Sequence, residues 1–283
     1  MFSNLRSLIF KLDPETAHSL AIKSLKFNFA GNILDDDKNN PLFKTKLFKQ
    51  ELENPIGIAA GFDKNAEVYN SLFKLGFGFV EVGTVTPLKQ YGNPKPRVFR
   101  LVEDEALINR LGFNNSGAKN VLDRIKSKKQ LGLLGVNIGP NKETKDRNND
   151  YIECFKTFHG VADYITINIS SPNTEDLRSF HNELKLDELL KIVNKEKKIL
   201  NSKIPIVVKV SPDISDQDIS KISDVLLDNS IEAVIISNTS DSTRDGLNNI
   251  LKHQKGGLSG KPIEEKSTRL ISKFYNILKG RIK

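Results

Sequence analysis

The sequence predicts an α/β protein of the (β/α)8 barrel class, incomplete at the C-terminus with about six βα units present and preceded by a two-helix N-terminal extension. Three observations predict it. Six apolar, β-branched runs recur with amphipathic segments between them, the pattern of parallel strands joined by helical crossovers. Each run ends at or near residues able to do chemistry: Lys64, Thr84, Asn137, Asn168 with Ser171, Lys209, and Asn238 with Thr239. Polar groups from many strand ends meet at one mouth when a sheet closes, whereas an open doubly wound sheet has only the crevice where strand order reverses. Finally, 283 residues with 38% hydrophobic content, 18 Gly and 11 Pro describe an ordinary packed protein, long enough for one large core or two modest ones.

The elements follow in order. Residues 4–11 and 14–28 read as short helices, with Asp13 as a cap and Pro14 at the first helical position of the second. Leu5, Leu8, Ile9 and Phe10 on one, and Ala17, Leu20, Ala21, Leu25 and Phe27 on the other, give each an apolar stripe. Two readings fit: a helical cap on a larger domain, or an apolar face at a bilayer surface with Lys11, Lys23 and Lys26 near anionic head groups. After a polar gap at 31–42 come the six strand-like runs, at 54–61, 79–85, 131–139, 164–170, 205–212 and 233–239. Helix-like segments lie between them, including 65–75, 117–129, 187–200 and 217–228. A long excursion over 86–117 contains Val98, Phe99 and Leu101 as a short strand, and loops of that length on a rigid scaffold collect binding residues. A last helix over 262–280 leads into "RIK", which reads as the start of a seventh strand.

Composition narrows the function. The formal charge of +8 comes from lysine blocks interspersed with acids, a solvated surface without the stacking aromatics or recognition helix of a nucleic-acid site. No run reaches the roughly 18 apolar residues of a membrane span, and the N-terminus lacks a signal-peptide cleavage pattern. The single cysteine, Cys154, reads as a buried small hydrophobe, and the four histidines sit away from the strand ends, so no metal site is expected. Neither a dinucleotide-type GxGxxG nor a phosphate-loop GK[ST] occurs.

What remains is a set of amides and hydroxyls. "AAGFDKN" (59–65) gives close backbone approach at Gly61 and a lysine at a strand end. Asn109, Asn137, Asn168, Asn173 and Asn238 together suit a flat ligand with alternating carbonyl and N–H groups, because an amide both donates and accepts. The proton acceptor near them is Ser170 or Ser171, a weak base that needs a relay and an acidified substrate proton. "KGGLSGKP" (255–262) frees backbone N–H groups before a helix, fit for an anion or for a plain turn.

In order, "AAGFDKN", "EVGTVTP", "NRLGFNN", "GVNIG", "TINISSPNT", "VVKVSPD", "ISNTS" and "GGLSGKP" resemble the membrane-associated, quinone-linked class of dihydroorotate dehydrogenases, from "FKLDPETAH" to about residue 280. The resemblance implies an FMN barrel over 42–283 behind a membrane and quinone-access element over 1–30. It implies oxidation of dihydroorotate to orotate in pyrimidine synthesis, with ubiquinone or menaquinone as acceptor and peripheral attachment to the cytoplasmic side of the cell membrane. Ala60, Gly61, Lys64, Thr84, Asn137, Asn168, Lys209, Ser237 and Gly260 then fall to FMN. Lys64, Asn109, Arg110, Leu111, Gly112, Phe113, Asn168, Asn173, Asn238 and Thr239 fall to the substrate, and Ser171 to the catalytic base. Two departures stand out: Ser237 replaces the family's usual threonine, and the "GVGG" strand and the "GAS" unit beyond it are missing. Loss of two βα units is expected to leave unpaired strand edges and half a phosphate grip, with impaired catalysis or no enzymatic role as the alternative to an active flavoenzyme.

Overall fold

The computed structural model describes residues 9–27, 41–174, 177–242 and 244–282. Helix α1 (Pro14–Lys26) starts as its sequence dictates: the Asp13 carboxylate accepts from the Thr16 N–H at 2.9 Å, and Pro14 occupies the first turn. Most of the helix predicted over 4–11 lies outside the described residues. A hairpin that the sequence reading missed follows, β1 (Thr45–Leu47) and β2 (Gln50–Leu52).

The βα succession then begins with β3 (Gly57–Ile58), α2 (Tyr69–Lys74) and β4 (Phe79–Val85). The predicted excursion holds two antiparallel strands, β5 (Val98–Leu101) and β6 (Ala106–Asn109). Helix α3 (Ala118–Lys126), β7 (Leu133–Ile138), α4 (Arg147–Phe158), β8 (Tyr164–Asn168) and α5 (Glu183–Ile199) continue the alternation. It ends with β9 (Ile206–Val210), α6 (Asp216–Asp228), β10 (Ala233–Ile236), β11 (Gly257–Gly260) and α7 (Glu264–Leu278).

Strands β3, β4, β7, β8, β9 and β10 pair in that order, every pair parallel, so each stave lies beside its predecessor in the wheel. This is the stave order of an α/β, TIM-barrel-like fold. Strand alternation sorts the side chains into two sets. Val80, Val82, Leu134, Val136, Ile165, Ile167, Ile206 and Val208 face the helices and are buried in the main core. The other set faces inward. Leu133, Tyr164, Val207 and Ala233 form a floor with Phe79 and Ile235, and the β1–β2 hairpin closes it from below with Leu47, Phe48 and Leu52. The rings of Phe48 and Tyr164 lie 5.5 Å apart.

Two predicted elements are shorter than expected. The run at 54–61 yields a two-residue strand, and 65–75 yields a six-residue helix. Asp63 is the reason. Its carboxylate accepts from the N–H groups of Glu67 and Val68, both at 2.8 Å, and its carbonyl accepts from Gly83 N–H at 3.1 Å. The loop's backbone needs are thus met without a longer helix, and Ala66, at φ 55°, interrupts one.

Candidate active site

The polar ends of the staves form one hydrogen-bonded chain. At its base the buried Glu81 accepts from Asn137 Nδ2 at 2.8 Å and from Thr166 Oγ at 2.7 Å. Asn137 Oδ1 in turn accepts from Thr84 Oγ at 2.6 Å and from Asn168 Nδ2 at 3.1 Å. Asn168 also donates to Thr84 at 3.0 Å, and its oxygen accepts from Ser170 Oγ at 2.8 Å. Asn238 Nδ2 donates to Ser170 Oγ at 2.9 Å, and Asn238 Oδ1 accepts from the Thr239 N–H at 2.8 Å. Four staves are tied together in this way. The amides are fixed in orientation before any ligand arrives.

The two serines at the end of β8 separate clearly. Ser170 Oγ both donates and accepts within the chain just described. Ser171 Oγ is buried, accepts only the Asn173 N–H at 3.2 Å, and donates no hydrogen bond among the described residues. Of the two, Ser171 keeps a lone pair and a proton for other use.

Two lysines flank the amides. The side chains of Lys64, half-buried, and Lys209, buried, make no hydrogen bond or ion pair among the described residues. Desolvation, followed by the positive charge of Arg97, pulls the Lys64 ammonium down to about 8. Desolvation also lowers Lys209, against the attraction of Glu81. Unpaired cations in a desolvated setting suit an anionic or electron-rich ligand.

The three-stranded sheet β5–β6–β11 lies over this mouth, with Gly257 and Val98 both opposite Asn109. A Cβ at Gly257 would overlap Thr239, and one at Gly139 would press on Thr84 and Phe113 at 2.9 Å, which fixes how closely the sheet and the segment 109–113 approach the staves. Asn173 Nδ2 donates to the Asn109 carbonyl at 3.1 Å. Of the predicted residues, Thr84, Asn137, Asn168, Asn238 and Thr239 share one hydrogen-bond chain, and Asn109, Ser171 and Asn173 form a second cluster. Arg110 turns away: its guanidinium sits 4.5 Å over Phe99 and donates to Gln254, Lys255 and Pro96. Position 110 therefore offers the site backbone, not charge. Ser237 Oγ bonds the Asn238 carbonyl at 3.1 Å and meets Ser267 Oγ at 3.3 Å. Gly260, at φ 100°, ends β11 against Glu105. Gly61, at φ 116°, has open space where a side chain would stand, and Ala60 precedes it.

Beneath α1 lies a cavity of about 550 Å³, lined among others by His18, Ile22, Phe62, Lys64, Val98 and Leu111. His18 stands edge-on to Phe62, ring centres 5.2 Å apart, and desolvation plus the Lys64 charge lower its basicity. Lys64 thus lines this cavity and also feels the charge of Lys209 on β9. Sequence reasoning missed Glu81, Arg97 and Glu15. Only the first carried a signal, a carboxylate inside the apolar run "FVEVGTV".

Residues 42–283 match the model of the family described as dihydroorotate dehydrogenase. The dihydroorotate dehydrogenase (quinone) of Bartonella tribocorum is 47% identical, over 95% of this chain and 75% of that protein. The enzyme of the same name from Actinobacillus pleuropneumoniae serotype 7 is 44% identical, over 100% of this chain and 85% of its own length. Among solved structures, ligand-free DHODH from Eimeria tenella superposes with a TM-score of 0.91 at 35% identity, covering 95% of this chain and 81% of that one. Stave order, the amide chain at the mouth and these likenesses agree: the chain belongs to the dihydroorotate dehydrogenase family.

Proposed function

We propose that the protein oxidises dihydroorotate to orotate in pyrimidine biosynthesis, with FMN as its flavin and a quinone, ubiquinone or menaquinone, as final acceptor. The observation that carries this is the pre-formed chain Thr84–Asn137–Asn168–Ser170–Asn238 flanked by two unpaired lysines and a serine with a free proton. A flavin ring and a pyrimidine ring both present alternating carbonyl and N–H edges, which amides can answer. Ala60, Gly61, Thr84, Asn137, Lys209, Ser237 and Gly260 would hold FMN, with Lys64 and Asn168 shared between the two ligands. When bound, FMN supplies the acceptor for the hydride from substrate C6.

The chain's own residues do the rest. Ser171 takes the C5 proton, which is acidic because C5 is alpha to a carbonyl, and passes its own uncommitted Oγ proton on to solvent, while Asn173 N–H holds the serine oxygen in place. Lys64 meets the substrate carboxylate, while Asn109, Asn173, Asn238 and Thr239 meet the pyrimidine edge and stabilise charge that develops on its carbonyl. Backbone groups of residues 110–113 close the pocket. Helix α1 and the cavity beneath it form the quinone approach, its exposed Leu20 and Phe27 suiting peripheral attachment at the cytoplasmic face of the membrane. No described helix is long and apolar enough to cross a membrane.

The test is spectroscopic. Purified protein supplied with FMN should show a flavin band that bleaches on adding dihydroorotate without oxygen and returns on adding a soluble quinone. A flavin band that dihydroorotate leaves unbleached would overturn the reading.

A further inference from the structure

A largely buried ion pair joins α1 to the turn 91–97, where the exposed Lys95 also approaches Glu15 at 3.8 Å. Arg97, its side chain 7% exposed, donates from Nε to both Glu15 carboxylate oxygens at 3.1 Å and from Nη2 to Oε1 at 2.9 Å. Its other nitrogen, Nη1, donates to the carbonyls of Tyr91 at 2.6 Å and Asn93 at 2.9 Å. One guanidinium thus holds the turn 91–97 closed from inside. That turn is bonded to the segment 110–112 throughout: Arg110 N–H donates to the Arg97 carbonyl at 2.8 Å, Asn93 N–H to the Leu111 carbonyl at 3.1 Å, and Asn93 Nδ2 to the Arg110 carbonyl at 3.0 Å. Gln90 adds a bond to the Gly112 carbonyl at 3.1 Å. A Cβ at Gly92 would overlap the Leu111 carbonyl, and one at Gly112 would crowd Asn93 at 2.9 Å, so the two stretches have no slack between them.

We propose that Glu15 and Arg97 form a positioning clamp through which α1 sets the geometry of residues 109–112, and with it the affinity for dihydroorotate. The proposal rests on reading 109–112 as part of the substrate pocket. Removing one partner of a buried ion pair leaves the other charge uncompensated. Without Glu15, Arg97 faces the positive charge of Lys64 with no carboxylate to hold it, and swings toward water. The carbonyls of Tyr91 and Asn93 then lose their donor, and the turn that braces 110–112 loosens. Neither residue touches the reacting atoms. Each acts through the loop.

The test uses the full chain with FMN and follows anaerobic flavin reduction by dihydroorotate, with no quinone present. Glu15→Gln should raise the apparent Kd for dihydroorotate about tenfold, within the range usual for coupling between elements, and change the limiting reduction rate far less. Glu15→Asp, which keeps the charge, should recover part of the loss. Lys26→Met is the control: it breaks a different anchor of α1, the 2.6 Å pair with Glu67, without touching the turn, and should leave that Kd unchanged. An unchanged Kd in Glu15→Gln, or an equal rise in Lys26→Met, overturns the clamp. Should Glu15→Gln unfold, Arg97→Lys tests the same link, since lysine cannot hold Glu15 and both carbonyls together. Failure of the unaltered protein to be reduced by dihydroorotate would instead strike the proposed function.

Discussion

Ser171 and Lys64 are the residues whose chemistry can be tested singly. Ser171→Ala removes a buried mouth hydroxyl with an uncommitted proton, and should slow flavin reduction about 100-fold to 10,000-fold while dihydroorotate still binds. Stopped-flow reduction measures it, and a rate within twofold of the unaltered protein would clear the serine of the role. Lys64 titrates at about 8, below the usual 10.5 of a free lysine. The unfolded chain therefore binds more protons than the folded one between these values, so this group's burden on folding is full below about 8 and fades as pH rises toward 10.5. Substrate binding runs the opposite way, because a carboxylate needs the ammonium. Dihydroorotate affinity should fall as pH passes about 8, and Lys64→Met should bind weakly with that pH dependence gone; titration of flavin spectra between pH 7 and roughly 9.5 would reveal it.

At the scale of elements, the barrel interior leaves no room for a side chain where Gly135 meets Tyr164. A methyl group there would overlap the tyrosine ring, which is already packed on Phe48. Gly135→Ala should therefore destabilise the fold by about 1–3 kcal/mol, seen as a lower thermal midpoint, with little change in substrate affinity. The same element shows what the sequence could tell. β4 is legible to the residue as "FVEVGTV", because helix-facing valines leave a continuous apolar run. The inward layer was not legible. Nothing local says that Glu81 faces Asn137 and Thr166, since those partners come from other staves. Helix α4 carries a weaker local signal because "RNNDYIECFKTF" begins with weak helix formers, although Tyr151, Cys154, Phe155 and Phe158 have helical spacing and are fully buried. The hairpin β1–β2 was lost in a polar stretch whose apolar residues matter only against the barrel floor.

For the molecule as a whole, α1 borders the cavity and braces the mouth, so its removal should act on both half-reactions unequally. Deleting residues 1–30 should slow quinone reduction severely, and at saturating dihydroorotate should slow flavin reduction much less. Separate stopped-flow measurements of the two half-reactions would distinguish this from a helix that serves only to cap the barrel, for which both would fall together. The strand-end residues Thr84, Asn137, Asn168 and Asn238 were found from sequence because βα topology puts every strand's C-terminal end on one face. The Glu15–Arg97 pair, 82 residues apart, was not, because only the folded chain brings α1 to that turn.

The hairpin closes the inside of the curved sheet from below with Leu47, Phe48 and Leu52, so among the described residues nothing passes out through that end. Under the proposed function orotate and dihydroorotate share the one set of amides at the mouth, so product must leave before fresh substrate binds, whereas the cavity beneath α1 would be left to the quinone. Added orotate should accordingly raise the apparent KM for dihydroorotate without altering the maximal rate at saturating dihydroorotate, and inhibition that persists there would mean that orotate also binds away from those amides.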